Sequence, residues 1–329
     1  MDESGILLDE SVFDDVFIPE RLIGREEHVR EIARSLGPAK SGRQITNLFV
    51  HGPPGVGKTL VCRRILKEHF ADRHAYVNCW SKRTTHKVLE EILLQLGMVV
   101  HGRESASELV KKFERMGKKV IVCLDEADQL KDHGILYVLA RNNSGIVMIS
   151  NCTGILADVD GRIRSSLCMN ELEFKPYTRD EILSILKERA SFGFRPSSIS
   201  ENTLSTVSHI CNGDARIGLQ ILRTAAKEAE SKGLNAITIE HIKNAARFAR
   251  KYRLSYLLSK LNEHQKAIYE ILKQNGQMDS GKLFEEYCKR ISEPVVDRAY
   301  RNYMERMEEM GLVKATGSGR WKRYEIAQC

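Results

Sequence analysis

Residues 51–60 read HGPPGVGKTL, which sets Gly52, Gly57, Lys58 and Thr59 in the spacing G-x-x-x-x-G-K-T. The apolar run ITNLFV stands just before this stretch and reads as a buried strand, and the helical pattern LVCRRILKEHF comes straight after it. A phosphate chain needs a cradle of backbone N–H groups at such a strand-to-helix turn, and glycines let the backbone approach closely. Gly52, Gly55, Val56, Gly57, Lys58, Thr59 and Leu60 make that cradle, with Lys58 reaching the β- and γ-phosphates of a nucleotide and the Thr59 hydroxyl ligating Mg2+. A chance glycine-rich turn is the bland alternative; strand, loop and helix in sequence argue against it.

Further along, KKVIVCLDEADQL carries the apolar residues Val120 to Leu124 into an acidic pair, Asp125 and Glu126. A buried strand that delivers two carboxylates at its C-terminal end is where an open parallel α/β sheet places its chemistry. In P-loop enzymes the first acid holds Mg2+, usually through water, and a following Glu can polarise the attacking water. Taken alone, the pair could equally open a solvated loop. GIVMIS predicts the next strand and ends at Asn151, whose amide suits either the γ-phosphate and its water or a simple turn. DVDGRIRSSL then sets Arg162 and Arg164 in a loop and short helix, from which an arginine can reach a neighbouring subunit's γ-phosphate or remain surface charge.

Upstream, the first dozen or so residues carry Asp2, Glu3, Asp9 and Glu10 and read as a solvated acidic tail. FIPERLIG leads into a helical stretch, Arg25 to Leu36, of a kind that can fold back near a nucleotide base. After the P-loop helix, HAYVNCW predicts a second strand, and Lys87 to Leu96 and Ser107 to Met116 predict amphipathic helices. Pro176 marks a boundary. Thr178 and Glu181 form a capping box for EILSILKERA, and helical patterns follow over Glu201 to Cys211, Ala215 to Ala229 and Ile239 to Tyr252. In NGDAR, Asp214 lies near an N-cap and Arg216 in a first turn, where a cation opposes the helix dipole; a bound phosphate would supply the missing reason.

The C-terminal part reads as three helices, LNEHQKAIYEILKQ, GKLFEEYCKR and Val295 to Met310, then two strands in GLVKATGSGRWKRYEIA joined at Gly317 to Gly319. On the third helix Val296, Tyr300, Tyr303, Met307 and Met310 make a core stripe, while Arg298 and Arg301 fall on other faces. Three helices and a hairpin are the order of a winged helix, whose third helix can enter a major groove while the hairpin tip follows the backbone or minor groove. Arg320, Trp321, Lys322 and Arg323 beside the turn supply positive charge and one aromatic wedge. Residues 251–329 hold 15 Lys or Arg against 11 Asp or Glu, so a DNA contact rests on that local cluster, with protein docking as the competing use.

A chain of 329 residues allows about two or three domains, and 42% hydrophobic with 29% charged residues describes an ordinary globular protein. No apolar run approaches the roughly 20 residues that span a bilayer, and the acidic start is the opposite of a secretory n-region, so a cytoplasmic protein without a membrane partner is expected. Eight cysteines fall singly, with no C-x-x-C pair and no His cluster at metal spacing, and are expected as reduced, mostly buried thiols. A net charge of +7 is compatible with an anionic partner without establishing one.

In order along the chain, FIPERLIGREEHVREI, GPPGVGKT, VCLDEAD, DGRIRSSL, EFKPYTRDEILSILKERA and NGDARIGLQIL resemble the AAA+ ATPases, specifically the archaeal replication initiators related to the largest subunit of the eukaryotic origin recognition complex and to the cell division control helicase loader. The resemblance covers roughly residues 12 to 328. It implies an α/β P-loop AAA+ parallel-sheet domain (16–175), an all-helical lid (176–252) and a C-terminal winged-helix domain (253–329), after a flexible acidic tail (1–15). It also implies ATP or ADP with Mg2+ as cofactors. Lys58 and Thr59 would hold phosphate and metal, Asp125 and Glu126 would be the Walker B pair, Asn151 sensor 1, Arg216 the sensor-2 arginine and Arg162, or else Arg164, the arginine finger. Tyr177 and Arg189 fall where family members contact nucleotide, and a helical insertion that touches DNA would lie within about Ser81 to Lys112, with Arg83 and Lys87 among its candidates. Pro53 and Pro54 depart from the K-T of many archaeal members, and Cys152 from the Asp that often follows the sensor asparagine.

The function so implied is binding of double-stranded origin DNA, with recruitment of the replicative helicase, other initiator subunits as further partners, and weak ATPase activity serving a switch. A clamp-loader-like or signalling ATPase whose winged helix docks proteins is the alternative.

Overall fold

The computed structural model describes residues 5–327 apart from Lys118, Asn143 and residues 318–320. Its contacts divide into two units, one of Val16–Glu181 and one joining the N-terminal segment up to Asp15 with the chain from Ile182 onward. In the first unit the elements run α1 (Glu26–Leu36), β1 (Leu48–His51), α2 (Lys58–His69), β2 (His74–Asn78), α3 (Thr85–Gln95), α4 (Ala106–Arg115), β3 (Ile121–Asp125), α5 (Gly134–Arg141), β4 (Gly145–Ser150), α6 (Ile155–Asp158), α7 (Gly161–Leu167) and β5 (Asn170–Glu173). The strands form one parallel sheet in the order β2-β3-β4-β1-β5.

β3 and β4 are buried along their whole length and β1 along all but its last residue. Helices on both faces of a parallel sheet leave its central strands no wet side, and unbroken apolar runs result. Alternate side chains enter different cores. Phe49, Val122, Leu124 and Met148 join Leu89, Ile92 and Leu109 in one, and Val50, Cys123, Val147 and Ile149 join Ile32, Val61 and Ile65 in the other. Each such burial stabilises the fold by about 1.5–3 kcal/mol. β5, NELE, was not legible as a strand, because it lies at the sheet edge and only Leu172 of its four residues is buried.

α8 (Arg179–Gly193) opens with the expected reciprocal cap, in which the Thr178 amide donates to Glu181 Oε2 at 2.7 Å and the Glu181 amide to Thr178 Oγ1 at 3.2 Å. α9 (Glu201–Ile210), α10 (Ala215–Ser231) and α11 (Ile239–Ser259) follow without a strand, as expected of an all-helical lid. The acidic tail is corrected by the structure. From Gly5 onward it is ordered, with Ile6, Val12 and Phe13 buried and Phe13 stacked on Phe194 at 4.6 Å. Its acids bind rather than repel: Arg223 of α10 donates to Glu10 and, at 2.7 Å, to Asp14, and Lys227 pairs with Glu10.

α11 runs unbroken across the expected lid boundary at residue 252, continuing to Ser259 and placing Leu257 in the C-terminal core. That core gathers α12 (Glu263–Asn275), α13 (Ser280–Arg290) and α14 (Asp297–Glu309). Beside them β6 (Met278–Asp279), β7 (Val313–Thr316) and β8 (Arg323–Ile326) form an antiparallel sheet in the order β6-β8-β7. Tyr300, Met307 and Met310 pack as expected, but Val296 is 74% exposed at the α14 N-cap, and Met304 fills the stripe instead.

Candidate nucleotide site

Lys58 begins α2 directly after a loop whose glycines adopt backbone conformations that L side chains avoid, with φ of 143° at Gly52 and 87° at Gly57. At Gly52 a Cβ would lie 2.2 Å from the Phe174 carbonyl oxygen, and at Gly57 2.6 Å from the Tyr177 hydroxyl. The loop is therefore pressed on one side by the chain that leaves β5. Lys58 Nζ donates to Gly52 O at 2.7 Å, Pro53 O at 2.8 Å and Asn151 Oδ1 at 3.0 Å. These three bonds hold the ammonium over the loop, at the N-terminus of α2 where an anion is favoured. The third bond also joins the P-loop to the strand end that was read as a phosphate sensor.

Asp125, at the end of β3, is 4% exposed. Its Oδ2 accepts from Thr59 Oγ1 at 2.8 Å and from Tyr76 OH at 2.6 Å, and its Oδ1 from the Glu126 amide at 2.9 Å. Burial, then the neighbouring carboxylate, push the Tyr76 phenol far up, so it stays protonated and is the donor. Glu126 follows with φ 51° and ψ 44°, a left-handed conformation that non-glycine residues seldom adopt and that recurs at functional sites. Ser150 Oγ accepts from the Cys152 amide at 3.1 Å and donates to Asp128 at 3.3 Å, which ties the β4 end to the acidic loop.

Arg25, like Tyr76, is a site residue that sequence reading missed. It is 4% exposed and donates to Val56 O at 2.9 Å, Gly24 O at 3.0 Å and Lys175 O at 2.7 Å, with its guanidinium 3.8 Å from the centre of the Tyr177 ring. Burial raises the Tyr177 phenol while Arg25 works against it. One arginine thus fixes both the P-loop carbonyl at Val56 and the aromatic wall beside Gly57. Its only signal was its place in IGREEH, which no spacing rule singles out.

The residues fit a magnesium nucleotide. A loop of left-handed glycines under a lysine suits a phosphate chain. Among the described residues no group of three or more His, Cys, Asp or Glu could hold a metal by itself. Mg2+ asks for less, taking one or two protein oxygens and completing its shell with phosphate and water; Thr59 Oγ1 and Asp125 Oδ2, 2.8 Å apart, are the two oxygens that would hold it.

The other candidates lie on several elements, each within its own unit. Arg162 and Arg164 are exposed on α7, where Asp160 caps the Arg162 amide at 2.8 Å. Within the second unit, Arg189 is 4% exposed and its Nη1 donates to Val12 O at 2.9 Å, so the ordered N-terminal segment is its neighbour there. Arg216 sits in the first turn of α10 as expected, its amide capped by Asp214 Oδ1 at 3.0 Å. Among DNA candidates, Arg83 lies over Trp80 at 4.4 Å and Lys87 is exposed at the start of α3. Arg298 is exposed, and Arg301 pairs with Asp297 at 2.6 Å. In the hairpin Trp321 is 84% exposed, Lys322 lies 3.5 Å from Glu308 and Arg323 2.8 Å from Asp279, while Arg320 lies outside the described residues. Cys62, Cys79, Cys123 and Cys211 are buried as expected; burial pushes the Cys211 thiol up to about 12.

The parallel sheet, the glycine loop beside the β3 acids and the helices after them define an AAA+ ATPase. Residues 41–155 match the family model described as "AAA domain", and residues 183–247 match the "Cdc6 AAA+ ATPase-type lid domain". The chain is 30% identical to ORC1-type DNA replication protein 1 of Archaeoglobus fulgidus, over 93% of this chain and 84% of that one. It is 28% identical to ORC1-type DNA replication protein 9 of Halobacterium salinarum, over 94% and 91%. Its fold is similar to that of the Aeropyrum pernix ORC1 protein solved in complex with DNA, with a TM-score of 0.73, 28% identity, and 99% and 94% of the two chains covered. The chain belongs to the family of ORC1-type DNA replication proteins. Nucleotide binding follows from the AAA+ family, and no helix of the described residues is long and apolar enough to cross a membrane.

Proposed function

We propose that this protein is a nucleotide-switched replication initiator that binds duplex origin DNA and helps recruit the replicative helicase. The carrying observation is that Lys58 bonds Asn151 while Thr59 bonds Asp125, so one loop touches both strand ends that would monitor a γ-phosphate and its metal. Bound Mg·ATP would supply a phosphoryl group open to attack by water. Lys58 holds its charge over the loop, Thr59 and Asp125 hold the metal position, and Glu126 follows Asp125 where a base would orient water. Slow hydrolysis serving a change of state, rather than turnover, is the use proposed for it. That the similar Aeropyrum pernix ORC1 protein was solved in complex with DNA supports the nucleic-acid half of the reading.

Isothermal titration with ADP and ATP, and footprinting on DNA flanking the host's origins with and without ATP, test both halves. Lys58→Ala should weaken nucleotide binding more than a hundredfold and make the footprint indifferent to ATP. Wild-type protein that binds neither nucleotide nor duplex would refute the reading.

One observation favours the alternative of a protein-docking module: Lys322, Arg323 and Arg301 already face acids of their own chain. On that reading Lys322→Ala with Arg323→Ala leaves duplex affinity unchanged and breaks a protein complex.

A further inference from the structure

Tyr76 stands in the middle of β2, opposite Cys123 on β3, and the nucleotide reading gives it no task. Yet its hydroxyl donates at 2.6 Å to the Asp125 oxygen that also accepts from Thr59. The ring is fixed for this bond. Arg63 of α2 lies over it at 5.0 Å, and Gln95 of α3 brackets the Tyr76 backbone, accepting from its amide at 2.9 Å and donating to its carbonyl at 2.8 Å.

Resting on the nucleotide reading, we propose that Tyr76 is a positioning residue for the divalent metal: it sets the plane of the Asp125 carboxylate before and after the ion enters. Thr59 is itself a candidate ligand, so its bond to Asp125 must adapt to the ion. The Tyr76 bond need not. Mg2+ tolerates little departure from octahedral geometry, so the orientation of a carboxylate beside it matters. Groups that orient metal-binding side chains in this way alter metal affinity by about 10–100-fold when removed. Asp125 is 4% exposed, and bulk water cannot replace a donor lost from it.

The probe is Mn2+ as a paramagnetic stand-in for Mg2+, titrated by EPR into the ADP complex of the full chain. Tyr76→Phe keeps the ring beneath Arg63 and removes only the hydroxyl. ADP affinity in EDTA should be unchanged, and Mn2+ affinity of the ADP complex should fall about tenfold or more. A second readout needs no deletion: 3-fluorotyrosine placed at residue 76 should shift its 19F resonance when Mg2+ is added to the ADP complex. Mn2+ affinity equal to wild type, an ADP affinity that drops equally with and without metal, or an unmoved 19F line would each overturn the proposal. Wild-type protein that binds no ADP would remove the nucleotide reading and this inference together. Normal ADP and Mn2+ binding by Tyr76→Phe removes the inference alone.

Discussion

Two glycines of the P-loop are confined by different things, and substitution should tell them apart. A Cβ at Gly52 would strike a backbone carbonyl, Phe174 O, which cannot move without shifting the exit from β5. At Gly57 it meets only the Tyr177 hydroxyl. Both positions also carry a positive φ, which costs alanine about 1 kcal/mol or more. Gly52→Ala should therefore abolish ADP binding and lower the melting temperature. Gly57→Ala should be milder, and adding Tyr177→Phe should restore part of its ADP affinity in a double-mutant cycle; additive losses would contradict the contact. Lys58 and Thr59 were legible from the G-x-x-x-x-G-K-T spacing, and Asp125 and Asn151 because each comes at the end of an apolar strand pattern. Arg25 and Tyr76 escaped because an arginine beside a glycine and a tyrosine in a strand have ordinary structural uses, and only their partners, Val56 O and Asp125 Oδ2, distinguish them.

Among the elements, the N-terminal segment departs most from its sequence reading. Acids without local cations look solvated, and their partners, Arg223 and Lys227, lie some two hundred residues away. Hydrogen bonds from Lys227 and then Arg223 hold the Glu10 carboxyl below its usual range. A lowered carboxylate contributes stability that is present above its unfolded value, 4.5, and lost as pH falls through the lower folded value. Arg223→Ala should thus lower the melting temperature by a few degrees at pH 7, where an exposed network is worth about 1 kcal/mol. The difference from wild type should shrink toward zero below pH 4.5; a gap that persisted in acid would exclude the ion pairs as its cause. Central strands such as GIVMIS were legible because burial on both faces forces apolar continuity. NELE and the two-residue β6 were not, because an edge strand needs few buried side chains.

For the molecule as a whole, the DNA reading turns on whether the hairpin cations leave their own acids for phosphate. Lys322 faces Glu308 at 3.5 Å, so Glu308→Gln should release it and tighten duplex binding, while Lys322→Ala should weaken binding and flatten the salt dependence by about one unit of slope. Gel-shift titrations from about 50 to 200 mM salt would measure both; an unchanged slope would argue for a docking module. The C-terminal module joins the lid through α11, which runs from Ile239 to Ser259 with Leu257 already in the far core. A helix offers no slack. Each residue added within it would turn everything beyond by about 100° and advance it 1.5 Å. The bearing of the hairpin is therefore a matter of phase, set by counting residues along one helix as a thread is set by its turns. Homologues that lengthen or shorten this helix would point the same module at a different azimuth, even with every contact side chain retained.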